Sequence, residues 1–265
     1  MTTRSLRHIP LIDRDGRVTD VALLDDLVRQ YELPLTAVVM AGGYGTRLRP
    51  LTDDMPKPML PVAGKPLLEH IVEQLSANGI RRVNLTTHYK PEAISGHFGD
   101  GSRYGLDIGY THEDEPLGTA GALRLLEESD EPLLVMNGDI LTRVDFRAML
   151  DFHREHAAAM TVAVREEEFA VPFGVVQTDG TAITDIQEKP VLREFINAGI
   201  YLLDPRVRGH LPPEARFDMP QLVQRLLGAG ETVVGFPVHE YWVDIGELTG
   251  YEQAGHDAAS GKLEP

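Results

Sequence analysis

The chain has 265 residues, too many for a stapled mini-fold and enough for one large α/β domain or two small ones. Its 42% hydrophobic and 25% charged residues fit neither a disordered chain nor a membrane bundle, and the absence of cysteine excludes disulfides, thiolate metal sites and cysteine nucleophiles. A formal net charge of −16 argues against a broad basic nucleic-acid surface, and no apolar run approaches the roughly 20 residues that span a bilayer.

In chain order, residues 8–13 and 17–22 read as two strands about an Asp15-Gly16 turn, with a helix starting beyond them. Residues 1–10 lack the apolar core of a secretory signal, so a cytoplasmic protein is expected. From residue 35 onward short apolar runs alternate with helical patterns, which predicts a mostly parallel sheet covered on both faces. The expected strands are 35–40, 82–87, 106–111, 133–136, 160–164, 174–177, 198–203 and 232–237. After Pro66 a helix is expected, with Leu67, Leu68, Ile71, Val72 and Leu75 on one face and Asn78-Gly79 at its end. His153 and His156 fall on a further helix and are assigned to its solvent face, and Glu166-Glu167-Glu168 is assigned to a solvated turn. Residues 173–176 and 182–186, around Asp179-Gly180, predict a hairpin that interrupts the parallel order. A last helix starts at a capping box, Asp218 with Gln221, and carries Leu222, Val223, Leu226 and Leu227 as its buried face.

The chemistry concentrates after the strand at 35–40, in Ala41-Gly42-Gly43-Tyr44-Gly45-Thr46-Arg47-Leu48. Glycines let backbone N–H groups approach a phosphate closely, and Arg47 adds positive charge. No Gly-Lys-Ser/Thr follows, so this is not a Walker A loop, and Leu48 stands where a dinucleotide fingerprint needs its last glycine. Pro56-Lys57-Pro58 then fixes an ammonium between two prolines, in a chain with 20 arginines and five lysines.

Gly-x-Gly-Thr-Arg-Leu followed by Pro-Lys-Pro-Met-Leu-Pro-Val-x-Gly-Lys-Pro closely resembles the signature of the sugar-1-phosphate nucleotidylyltransferases, and the order and spacing of later motifs agree up to about residue 252. The resemblance implies a Rossmann-like three-layer α/β fold with a mostly parallel mixed central sheet and a sugar-binding subregion in its second half. It implies that Ala41, Gly42, Gly43, Gly45 and Thr46 bind a nucleoside triphosphate, together with Pro116, Gly118 and Thr119 of Pro116-Leu117-Gly118-Thr119-Ala120-Gly121-Ala122. Asp139 of Asn137-Gly138-Asp139 and Asp244 of Trp242-Val243-Asp244-Ile245-Gly246 become the ligands of Mg²⁺. Arg47, Lys57 and Lys189 become catalytic, Lys189 at the sugar phosphate, with Gly174, Glu188 and Asn197 facing the sugar.

Such chemistry requires these residue types. A sugar 1-phosphate oxygen attacks the α-phosphorus of the triphosphate, the two anions repel until cations neutralise them, and pyrophosphate leaves in line. Guanine is the favoured base, because Leu117-Gly118-Thr119-Ala120-Gly121 resembles the loop of GDP-mannose and GDP-heptose pyrophosphorylases. Uridylyl or thymidylyl transfer to a hexosamine, N-acetylmuramic acid or hexose 1-phosphate is the alternative. A non-catalytic nucleotide-sugar-binding subunit and a glycosyltransferase are the readings from other classes. The partners expected are the two substrates, with no nucleic acid and no membrane; assembly into a homo-oligomer stays open. Residues 8–17 resemble the end of a CBS domain, which gives an expected division into a CBS-like remnant or linker (1–33), a transferase domain (34–252) and a tail (253–265).

Overall fold

The computed structural model describes residues 8–12, 16–23, 32–213 and 216–262. Strands β1 (His8–Ile12) and β2 (Val18–Leu23) pair antiparallel, as the Asp-Gly turn predicts, and the helix expected after them lies outside the described residues. Beyond them the chain runs through β3 (Thr36–Met40), the short pair β4 (Pro61–Val62) and β5 (Lys65–Pro66), helix α1 (Leu67–Ala77), β6 (Arg82–Thr87), α2 (Pro91–Phe98) and β7 (Asp107–His112). Next come β8 (Leu133–Asn137), β9 (Ile140–Thr142), α3 (Phe146–Glu155), β10 (Met160–Ala170), the hairpin β11 (Val175–Asp179) and β12 (Ala182–Gln187), and β13 (Val191–Leu203). Helix α4 (Met219–Gly228), β14 (Val233–Pro237), β15 (Trp242–Asp244) and α5 (Leu248–Ala259) complete the order.

Seven of these strands form one sheet in the order β14-β10-β13-β8-β3-β6-β7. β3 runs parallel to β6 and β8, β6 to β7, and β10 to β14, whereas β13 is antiparallel to both β10 and β8. The mostly parallel mixed sheet is therefore the one expected. Side-chain alternation along each strand divides the core into two layers. Ala37, Val39, Leu134, Met136, Ile200 and Leu202 pack with the stripe Leu67, Leu68, Ile71, Val72 and Leu75 of α1. Val38, Val135, Tyr201 and Leu203 pack with Met219, Leu222 and Leu226 of α4.

Three sequence expectations need correction. Glu166, Glu167 and Glu168 lie inside β10, because that strand runs past the core and stays paired with β13, placing Glu168 opposite Arg193. With solvent on both sides, this stretch needs no apolar alternation, so its pattern reads as a turn. His153 is 3% exposed: it shares the inner face of α3 with Phe146, Met149 and Leu150, and its Nδ1 bonds Thr161 Oγ1 at 2.8 Å. Its neighbour His156 is on the solvent side. Leu227 is half-exposed, one position past the Met219-Leu222-Leu226 stripe, although the capping box of α4 is present and the Asp218 N–H donates to Gln221 Oε1 at 2.8 Å.

Candidate active site

The C-terminal end of β3 opens into a cleft of about 180 Å³ walled by Ala41, Gly43, Gly45, Thr46, Arg47, Lys57, Asp139 and Gly246. Local backbone chemistry shapes each wall. Gly45 is left-handed (φ 63°) and starts a short 3₁₀ turn, Thr46–Leu48, with its carbonyl accepting from Leu48 N–H and from Thr52 Oγ1. A Cβ there would sit 2.8 Å from Thr52 Cγ2 and 3.0 Å from Lys57 Cβ, so the turn closes only around glycine. Lys57 opens a second 3₁₀ turn, Lys57–Met59, held by Met59 N–H to Pro56 C=O at 2.8 Å. The two flanking prolines thus face the ammonium inward: Lys57 is buried, and its Nζ donates to Asp139 Oδ2 at 2.5 Å.

Asp139 reaches this position through Gly138, whose N–H donates to the Met40 carbonyl at 2.9 Å, and whose missing Cβ would lie 2.6 Å from the same oxygen. Asp244 arrives from the far end of the sequence. β15 pairs antiparallel with β9, which sets Asp244 opposite Ile140, and Ile245 N–H donates to the Asp139 carbonyl at 2.9 Å. Sequence reading expects neither strand of this small pair, since each has only three residues. Arg47 stands on the solvent side of the cleft in an exposed 3.7 Å ion pair with Glu247.

The electrostatics of the pair suit a hard cation. Asp139 Oδ1 is buried without a hydrogen-bond partner, the arrangement that a cation would relieve. Asp244 keeps access to solvent, yet desolvation by the surrounding protein and then the charge of Asp139 raise its carboxyl above the usual range, against the opposing pull of Lys57, the Gly246 N–H and Arg47. Two carboxylates with an unspent oxygen are oxygen donors of the kind a divalent ion prefers. Among the described residues no group of three or more His, Cys, Asp or Glu is placed to hold a metal.

The remaining sequence candidates divide. Gly42 packs against His88 and Glu113, with a Cβ there 3.2 Å from Glu113 Oε1. Pro116, Gly118 and Thr119 form a loop tied to the start of α4. Thr119 N–H donates to Asp218 Oδ1 at 2.9 Å, its hydroxyl accepts from Met219 N–H at 2.8 Å, and the Gly118 backbone is left-handed (φ 83°). Asn197 holds Gly199, which packs against Asn137: its Oδ1 accepts from Gly199 N–H and its Nδ2 donates to Tyr201 Oη. Gly174, Glu188 and Lys189 belong to the exposed β11–β12 arm and do not line the cleft. Sequence reading also misses Glu113, Tyr44 and His88. Glu113 is 7% exposed and accepts the Leu117 N–H at Oε2 (2.8 Å), but within Glu113-Asp114-Glu115 it looks like one more solvated acid.

Residues 36–261 match the family model described as nucleotidyl transferase. The chain belongs to that family. It is 37% identical over 233 residues to a mannose-1-phosphate guanylyltransferase of Mycobacterium tuberculosis, covering 85% of this chain and 65% of that protein. It is 33% identical over 241 residues to a UTP–glucose-1-phosphate uridylyltransferase of Synechocystis, covering 83% and 62%. This nucleotidyl transferase chain thus spans a little under two thirds of the length of either relative. Among solved structures, HddC from Yersinia pseudotuberculosis complexed with GMP-PN superposes with a TM-score of 0.67 at 25% identity, covering 84% of this chain and 99% of that one. No helix among the described residues is long and apolar enough to cross a membrane.

Proposed function

We propose that this nucleotidyl transferase moves GMP from GTP to a hexose 1-phosphate, with the glycine-rich loop and Asp139 and Asp244 as the reacting centre. The observation that carries the reading is the meeting of Lys57, Arg47 and Asp139 at one cleft, with Asp244 near enough to interact with the charges of all three and one Asp139 oxygen left unpaired. Asp139 and Asp244 would hold Mg²⁺, which would supply positive charge against the phosphates. Backbone N–H groups of residues 42–46 cradle the triphosphate, and Arg47 and Lys57 take up charge that develops on the departing pyrophosphate. Lys189 receives the sugar phosphate as the β11–β12 arm meets the substrate, with Glu188 and Asn197 toward the sugar hydroxyls. Guanine is favoured by the two guanylyltransferase relatives at 37% identity, from Mycobacterium tuberculosis and Yarrowia lipolytica. The Synechocystis relative supports uridylyl transfer as the second reading.

The test is a matrix of GTP, UTP, dTTP, ATP and CTP against mannose, glucose and N-acetylglucosamine 1-phosphates with Mg²⁺, followed by pyrophosphate release. GTP with one hexose 1-phosphate should give the highest rate, and EDTA should abolish it. Release with UTP but not GTP would replace the base assignment. Silence across the matrix would remove the transferase reading.

A further inference from the structure

A chain of hydrogen bonds joins the two loops assigned above to the nucleotide. Tyr44, in the glycine-rich loop, meets His88 Nε2 through its hydroxyl at 2.7 Å. His88 Nδ1 meets the Glu113 carbonyl at 2.6 Å. The Glu113 carboxylate then accepts the Leu117 N–H at 2.8 Å, inside the Pro116–Thr119 loop, while its other oxygen faces Gly42. The carbonyl only accepts, so Nδ1 carries the proton; Nε2 then presents a lone pair, and the Tyr44 hydroxyl donates to it. The Tyr44 ring also stands edge-on to His88 at 5.3 Å and against Tyr89 at 5.7 Å. The next loop is gripped from the same place: Tyr89 Oη and Lys90 Nζ both donate to the Asp53 carbonyl, at 2.9 and 3.0 Å.

Neither His88 nor Glu113 lies in a motif, and Tyr44, His88 and Glu113 do not line the cleft. Their arrangement nevertheless fixes the distance between the phosphate-side loop and the base-side loop. The two loops follow different strands and share no backbone ladder: β3 ends at Met40, whereas residues 116–119 follow β7, and β6 lies between them. His88, at the end of β6, is the bridge. We propose that His88 is a positioning residue for the nucleotide, coupling the glycine-rich loop through Tyr44 to the Pro116–Thr119 loop through Glu113, so that phosphate and base are gripped in one register. This rests on the nucleotidyl-transfer reading.

Tyr44→Phe removes one hydroxyl from an exposed side chain and leaves the ring packing in place. A single hydrogen bond corresponds to about threefold to tenfold in an equilibrium constant. Tyr44→Phe should therefore raise the KM for the nucleotide that the enzyme turns over by about threefold to tenfold, with kcat, the KM for the sugar 1-phosphate and the melting temperature unchanged. His88→Ala should raise the nucleotide KM further, and the Tyr44→Phe/His88→Ala double variant should be no worse than His88→Ala alone, because Tyr44 acts through His88. His88→Gln, which keeps a donor and an acceptor, serves if the alanine variant does not fold and should recover part of the loss. Equilibrium titration with GTP and with UTP, without sugar phosphate, should show the same ratio between wild type and Tyr44→Phe. A Tyr44→Phe enzyme with wild-type nucleotide KM, effects that multiply in the double variant, or KM values for both substrates rising together would overturn the inference while leaving the transferase reading standing. A wild-type protein that neither binds nor turns over any nucleotide would instead remove that underlying reading.

Discussion

Glycine at position 45 and lysine at 57 are chosen together. The left-handed Gly45 leaves room for the Lys57 stem, and the buried ammonium is the partner that Asp139 finds inside the chain. Gly45→Ala forces a side chain into a left-handed backbone and against Thr52, at a cost on the order of 1–2 kcal/mol before any contact relaxes. Its melting temperature should fall by several degrees. Gly43→Ala meets nothing within 4 Å, so its melting temperature should match wild type even though it borders the same cleft. Lys57→Ala should lower the rate of pyrophosphate release by roughly 10²–10³-fold, the size of effect expected for a lost charge-stabilising donor. These residues are legible in the sequence because each demand is local: a glycine where φ is positive, a lysine held by adjacent prolines. Glu113 and His88 are not legible, since their roles depend on strand ends that only the sheet brings together.

At the level of elements, the sheet and its helices could be anticipated wherever burial imposes a period. α1 and the strands β3, β6, β7 and β8 follow their apolar pattern within a residue or two. Failure comes where burial is absent or local. The outer parts of β10 and β13 are held by their mutual ladder and by pairs such as Glu168 with Arg193, without a core to write alternation into the sequence. α3 hides a histidine that a polar count assigns to solvent. Burial lowers the His153 pKa below its ordinary value, opposed by the charge of Asp204 and reinforced by Arg206 and Arg154. The unfolded chain then takes up the proton first as pH falls through about 6.5, so the stability held above that pH is lost on the way down to the folded-state value. Thermal melts from pH 7.5 to 5.5 should fall more steeply for wild type than for His153→Gln; parallel slopes would contradict the assignment.

Across the whole molecule, the residues proposed to carry the reaction are split between the end of the central sheet and an exposed arm. Asp139 and Asp244 are fixed by the β9–β15 pair, whereas Glu188 and Lys189 ride on the β11–β12 arm outside the cleft. This division predicts separable kinetics. Lys189→Ala should raise the KM for the sugar 1-phosphate at least tenfold and leave nucleotide affinity, measured by titration with GTP, at the wild-type value; equal losses in both would contradict an arm dedicated to the sugar. The family resemblance implies a sugar-binding subregion in the second half, but sequence separation does not show which residues leave the cleft, since Asp244 lies farther along the chain than Lys189; the reach of the arm follows the length of the β10–β13 ribbon, which carries no motif.

Pyrophosphate release by Asp139→Ala and Asp244→Ala, compared with wild type at saturating GTP, hexose 1-phosphate and Mg²⁺, tests the paired carboxylates most directly. Each variant should retain its fold by circular dichroism and lose at least a hundredfold in rate. Undiminished turnover in either would show that the two aspartates converge for some other purpose.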